Sequence, residues 1–99
     1  MRQKLSDVEI QRALGGLPGW TRRGDVLTKT FSFEKFASGI AFVDRIAKVA
    51  DEMDHHPDID IRWTTITFAC ATHSKGGVTD ADVTLARRID ELAATAGAA

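Results

Sequence analysis

Asp51-Glu52-Met53-Asp54-His55-His56-Pro57-Asp58-Ile59-Asp60-Ile61 is the stretch on which the fold turns. Before it, apolar residues recur at three- and four-residue spacing; after it, they alternate with polar ones. A helix therefore ends near Met53 and a strand starts after Pro57, since side chains repeat about every 3.6 residues around a helix and every second residue along a strand. Pro57 enforces the change, because its ring disfavours helical geometry at His56. Two of the three histidines stand at this joint, behind a run of carboxylates.

Upstream, the spacing predicts a long helix from Ser32 or Phe33 to Met53. Phe33, Phe36, Ile40, Val43, Ala47 and Ala50 form one apolar stripe, and Phe42, Ile46, Val49 and Met53 a second beside it. Glu34, Asp44, Arg45, Lys48 and Glu52 are confined to a narrow polar sector. So wide an apolar arc exceeds what one sheet face needs. Either the helix is sunk deep in its own core, or part of the arc is covered by another helix or a second subunit. Downstream, Asp58–Trp63 alternates with Ile59, Ile61 and Trp63 inward, Thr64-Thr65 turns the chain, and Ile66, Phe68 and Cys70 point inward on the return strand. Core packing is thus the expected role of Trp63, and Cys70 is expected to be an inert core thiol.

The flanks repeat this pattern. Ser6-Asp7-Val8-Glu9 is a capping box, with Leu5 and Ile10 as its hydrophobic staple and Val8, Ile10, Ala13, Leu14 and Leu17 as apolar positions. Gly15-Gly16 and Pro18-Gly19 end that short helix. Trp20 to Phe33 reads as a hairpin turning at Arg23-Gly24-Asp25, with Leu27, Lys29, Phe31 and Phe33 on one face. His73 to Gly77 is a loop, and Thr79 caps a last helix whose first turn carries Asp80 and Asp82 and whose core side is Val83, Leu85, Ala86, Ile89 and Leu92. Residues 93–99 should fray. The order α-β-β-α-β-β-α predicts a single α+β domain spanning 1–99, a four-stranded antiparallel sheet with three helices on one face.

Composition removes several function classes. Ninety-nine residues, 43% hydrophobic and 27% charged, describe an ordinary globular chain. A net charge of -1 gives no footprint for nucleic acid or an anionic membrane. No apolar run approaches the roughly 20 residues of a membrane span, and the first ten residues lack a signal-peptide apolar region. One cysteine excludes an intramolecular disulfide, and a reducing cytoplasm is the expected setting.

The histidine joint admits three readings. Asp51, Glu52 and Asp54 oppose the negative end of the helix dipole, a mismatch of about a few tenths to 1 kcal/mol each when exposed. Stability alone favours Lys or Arg there, so a polar cap is the bland reading. If the helix persists through His55, Asp51 lies one turn behind it and can hold its ring, an arrangement suited to proton transfer. His55 and His56 should point in different directions. His-His with acids can also bind zinc or manganese, but adjacent histidines rarely converge on one ion and His73 lies on another element, so no metal is expected. Asp54-His55-His56-Pro57-Asp58 also fits the Asp-His-His signature of manganese phosphoesterases. Those are two-domain α/β proteins with further aspartate ligands on earlier strands, which this much shorter chain does not have.

Beyond the joint, Asp51-x3-His55-His56-Pro57, then x5 to Trp63, x9 to His73 and x8 to Asp82 resembles the motif of the pterin-4a-carbinolamine dehydratases, or dimerisation cofactor family. Gly19-Trp20, Phe31-x-Phe33-x-x-Phe36 and Gly77-Val78-Thr79-x-x-Asp82 extend the resemblance from about Leu5 to Leu92. The family commonly has Glu where Asp51 stands. The resemblance implies dehydration of 4a-hydroxytetrahydrobiopterin to quinonoid dihydropterin without metal or organic cofactor, and homodimers joined through edge strands, or homotetramers. It implies His55 and His73 as an acid–base pair and His56 as a catalytic and pterin-orienting residue. Pro57, Thr72 and Ser74 would line the substrate pocket, bordering it would be the alternative role of Trp63, and Asp51 and Asp82 would hold histidine tautomers. Relatives of the same fold that serve as coactivators or assembly chaperones supply the competing, non-catalytic reading.

Overall fold

The computed structural model describes residues 3–98; Met1, Arg2 and Ala99, the last residue of the predicted tail, lie outside it. Helix α1 (Asp7–Leu14) precedes β1 (Thr21–Arg23) and β2 (Val26–Ser32); α2 (Phe36–Met53) leads to β3 (Asp58–Arg62) and β4 (Thr65–Cys70), and α3 (Asp80–Ala93) follows a short 3₁₀ turn at His73–Lys75. The strands form one antiparallel sheet in the order β1-β2-β4-β3, so the two hairpins meet through β2 and β4 with Lys29 opposite Phe68. The expected α+β architecture is the observed one.

Alternation decides which face the helices cover. Leu27, Phe31, Ile66, Phe68 and Cys70 point to the helix side and are buried. Thr28, Thr30, Ser32, Thr65 and Thr67 point away, and Thr30 and Thr67 join hydroxyls at 2.8 Å across the bare face. The core centres on Phe31, Phe33, Phe42 and Phe68, whose rings pack at tilted or edge-on angles with centroids 5.3 to 5.8 Å apart. Gly39 lets α2 approach β4: a Cβ there would meet Ile66 Cδ1 at 2.9 Å and the Phe33 ring at 3.3 Å. Lys29, which breaks the apolar pattern of β2, is resolved by partners. Its ammonium donates to the Pro18 carbonyl at 2.8 Å and to Asp90 Oδ1 at 2.9 Å, and lies 4.8 Å from the Phe31 ring centroid.

Caps are where the sequence places them. Ser6 and Glu9 close both bonds of the first capping box, and the Ser6 backbone amide holds the Glu9 carboxyl below the usual range. Leu5 donates its amide to the Val78 carbonyl at 2.8 Å, tying the amino-terminal segment beside the loop before α3. Past Ala93 the chain runs in turns through Gly97, with Ala96 and Ala98 half-buried against the core.

Four expectations are corrected. Helix α2 starts at Phe36, because Phe33 is tied to the end of the second hairpin, its amide donating to the Thr64 carbonyl at 2.9 Å. Of the two stripes on α2, Phe42, Ile46 and Val49 are buried, while Phe36 is 49% and Ile40 38% exposed and Ala47 is also exposed. Of the two alternatives, the helix sunk wholly in its own core is excluded: Phe36, Ile40 and Ala47 leave part of its apolar arc facing outward. In α1, Val8 is exposed, because Ile10 alone reaches the core fully. The second hairpin turns at Trp63-Thr64, one residue earlier than expected, because Arg62 pairs with Thr65. Trp63 takes a left-handed φ of 55° and stands 78% exposed, and Ile61 on the edge strand is 41% exposed. Trp63 is thus no core residue.

Candidate active site

The end of α2 directs the histidines. Asp54 adopts left-handed dihedrals, φ 50° and ψ 43°. Its amide donates to the Asp51 carbonyl at 3.2 Å, and the His55 amide to the Ala50 carbonyl at 3.0 Å. This is the Schellman closure, here built on Asp rather than Gly. It ends the helix before His55 and throws the next two side chains apart. His55 enters the interior, 6% exposed, and His56 stays outside.

The early stop re-pairs the carboxylates. Asp51 does not hold His55 as expected, since His55 is no longer on the helix. Instead Asp51 Oδ1 lies 2.8 Å from His56 Nε2 at the surface. His55 Nε2 lies 2.5 Å from Oδ1 of Asp82, which is fully buried. An unpartnered buried carboxylate costs several kcal/mol, so every Asp82 oxygen needs donors. Oδ2 accepts the Thr79 amide at 2.8 Å and the Thr72 hydroxyl at 2.8 Å. The amide belongs to the capping box of α3, whose positive end favours the anion further. No buried side-chain polar atom among the described residues lacks a partner.

Antiparallel pairing brings the rest together. Asp58 opposes Ala69, so the entry to β3 and the exit from β4 lie at one end of the sheet. His55, His56 and Pro57 precede that entry; Thr72, His73 and Ser74 follow that exit. Thr72 and Gly77 exchange backbone bonds at 2.9 and 3.4 Å, pinching the loop that carries His73. Gly76 closes the 3₁₀ turn with φ 71°, and His73 and Ser74 are exposed. Pro57 is half-buried at the corner. Thr72 is buried, its hydroxyl occupied by Asp82 and by Thr79 at 2.7 Å, which leaves that hydroxyl for the carboxylate rather than for a ligand. The sequence reading missed Thr79 as a part of this cluster, although its capping box with Asp82 was the available signal.

Near Asp82 lies the lone thiol. Burial pushes Cys70 far above its ordinary value, and the charges of Asp82 and Asp58 add to the shift. Cys70 is accordingly a protonated core side chain rather than a nucleophile. Among the described residues no three His, Cys, Asp or Glu side chains gather as a metal cage.

The arrangement offers three imidazoles at one end of a rigid sheet: one locked to a buried carboxylate, one paired at the surface, one on an exposed loop. The pattern of the pterin 4 alpha carbinolamine dehydratase family matches residues 3–92. The chain belongs to that family. A Mycobacteroides abscessus protein provisionally named pterin-4-alpha-carbinolamine dehydratase is 57% identical over 86 residues, 87% of this chain and 92% of the relative. A Nocardia farcinica protein of the same provisional name is 56% identical over 89 residues, 90% and 94% of the two chains. Among solved structures, a transcriptional coactivator/pterin dehydratase from Brucella melitensis superposes with a TM-score of 0.89 at 31% identity, covering 92% of this chain and 99% of that one. A pterin dehydratase-like protein identified as a RuBisCO assembly factor in the alpha-carboxysome superposes with a TM-score of 0.61 at 28% identity, covering 75% and 86%. The dehydratase motif residues of this chain thus sit on the α2 terminus, the β3 entry, the β4 exit and the first turn of α3, with Trp63 apart from them at the β3–β4 turn.

Proposed function

We propose that this dehydratase-family chain removes water from 4a-hydroxytetrahydrobiopterin, giving quinonoid dihydropterin in tetrahydropterin recycling, by histidine acid–base catalysis. The C4a–O bond breaks as one histidine donates a proton to the leaving hydroxyl, which departs as water. A second takes the N5 proton, whose electrons form the new C=N bond. Histidine suits both roles near neutral pH, and His55 and His73 are the pair. His56 orients the pterin, with Pro57 and Ser74 at the edge of the same pocket. The observation that carries this reading is His55 held by the buried Asp82 beside the His73 loop. A buried imidazole tied to a carboxylate is costly as decoration and useful as a proton carrier. The cytoplasm is the proposed setting.

The test is the dehydration rate of chemically generated carbinolamine. His55→Ala and His73→Ala should each lower it by about 10²–10⁴-fold while the chain stays folded. A wild-type rate no faster than buffer would overturn the enzyme reading.

Assembly is the second part of the proposal. Phe36 and Ile40 on α2, with Ile61 and Trp63 on and beside the edge strand, are large apolar side chains left uncovered. Such exposure suits association into a dimer or tetramer. Light scattering on wild type and Phe36→Lys checks it: a smaller species in the variant supports assembly through α2, and a monomeric wild type sinks it. A coactivator or assembly role, as named for the two structural neighbours, is favoured only if the dehydration rate is absent.

A further inference from the structure

We propose that Thr72 and Thr79 are positioning residues for His55, acting through Asp82; the proposal rests on the acid–base reading above. Hydrogen-bond direction follows by elimination. The ionised carboxylate of Asp82 only accepts, so the single hydroxyl proton of Thr72 is donated to Oδ2 at 2.8 Å. In the 2.7 Å contact between the two threonines, Thr79 must then be the donor and Thr72 the acceptor. Thr79 Oγ1 in turn accepts the Ala81 amide at 3.3 Å. The chain runs one way: Thr79 to Thr72, Thr72 to Asp82 Oδ2, and His55 Nε2–H to Asp82 Oδ1.

This pins the carboxylate plane. Oδ2 is gripped by a hydroxyl from the β4 exit and an amide from the α3 cap, two elements that do not move together unless the fold does. Rotation of the carboxylate is blocked, Oδ1 stays aimed at His55, and the His55 proton is fixed on Nε2. Thr72, Thr79 and Asp82 are all buried, so water does not compete for these bonds. Thr72 also bears the backbone pinch with Gly77 and precedes His73. One side chain therefore couples the orientation of His55 to the loop that carries the other proposed proton carrier.

The experiment uses the full chain labelled with ¹⁵N-histidine. The wild-type spectrum should show His55 protonated at Nε2; a neutral His55 protonated at Nδ1 alone would overturn the proposal. Thr72→Val, close to isosteric but without the hydroxyl, should give mixed His55 tautomers and a kcat lower by roughly 10- to 100-fold at little changed KM. Thr72→Ser, which restores the donor, should recover the Nε2 tautomer and most of kcat. A folded Thr72→Val with an unaltered His55 spectrum and wild-type kcat would overturn the idea, since a merely structural threonine moves neither. If Thr72→Val does not fold, Thr79→Val removes the upstream donor while keeping the backbone amide on Oδ2. It should shift the same signals less far, and no shift at all counts against the relay. A wild type without dehydratase activity defeats the acid–base reading alone, because the tautomer measurement needs no substrate.

Discussion

Helix α3 carries a carboxylate into the structure near each end, and the two are held in opposite ways. Asp82, in the first turn, is fully buried and answered by an imidazole, a hydroxyl and a backbone amide. Asp90, toward the last turn, is about a fifth exposed and answered through Oδ1 by the Lys29 ammonium at 2.9 Å and the Trp20 indole at 3.0 Å. The helix dipole explains the division. It supports an anion at the first turn and opposes one at the last, and the Lys29 ammonium answers the carboxylate at the unfavourable end whereas a histidine meets the one at the favourable end. In the proposed reading the first end serves proton transfer, while the second closes the α1–β1 segment onto the core through Lys29 and Trp20.

The widest separation between the two ends should appear on deleting each carboxylate. Asp82→Ala removes the buried acceptor of His55 Nε2, the Thr72 hydroxyl and the Thr79 amide, an expected loss of about 3–5 kcal/mol. Urea unfolding measures it, together with a collapse of the dehydration rate. Asp90→Asn, by contrast, weakens charge-assisted bonds in a half-solvated setting, and about 1–3 kcal/mol is expected with the dehydration rate untouched. Equal losses of stability, or loss of activity from Asp90→Asn, would break the division of labour.

The sequence carried most of this contrast at the level of elements, and little at the level of pairs. Ser6-x-x-Glu9 and Thr79-x-x-Asp82 announced two helix starts, and the change of period around Pro57 announced the helix-to-strand joint. All three depend on local chemistry, which sequence spacing records. The pairing of Asp51 with His55 failed because it assumed that α2 continues through His55, and one left-handed residue, Asp54, undoes that. Nothing in the identity of an aspartate announces a Schellman closure that usually takes glycine. Which of the two stripes of α2 is buried was left open for a different reason. Which stripe faces the sheet depends on the fit of Gly39 against Ile66, a contact between elements 27 residues apart in sequence. Trp63 shows the same limit, since a shift of the turn by one residue takes it from the inward face to the solvent.

Cys70 tests how far the field of Asp82 extends. Its raised pKa means that the folded state keeps the thiol protonated where the unfolded chain releases it. The associated stability is therefore full below the ordinary thiol value of 9.0 and is lost as pH rises above it. The slope should be at most about 1.4 kcal/mol per pH unit. The contribution of the thiol is read as the difference between wild type and Cys70→Ala in alkaline denaturation series. Asp82→Asn should shorten the window over which that difference grows, and Asp90→Asn should leave it alone. An identical alkaline profile for wild type and Cys70→Ala would show that the thiol is not shielded as the structure places it.

The smallest effect belongs to the third carboxylate of the comparison, Asp51. It has the same partner type as Asp82, a histidine Nε2 at hydrogen-bond distance, yet both groups are mostly in water. Such pairs contribute about 0–1 kcal/mol, and Asp51 also sits at the end of α2 where the dipole opposes it by about a few tenths. These terms offset, so Asp51→Ala should change unfolding free energy by less than about 0.5 kcal/mol, with any residual stabilisation fading as salt is raised. Its consequence should fall on substrate binding: with His56 released, KM for the carbinolamine rises while kcat holds. A stability loss as large as that of Asp82→Ala would mean that the histidine contact itself, rather than burial and the saturated second oxygen, sets the strength of these pairs.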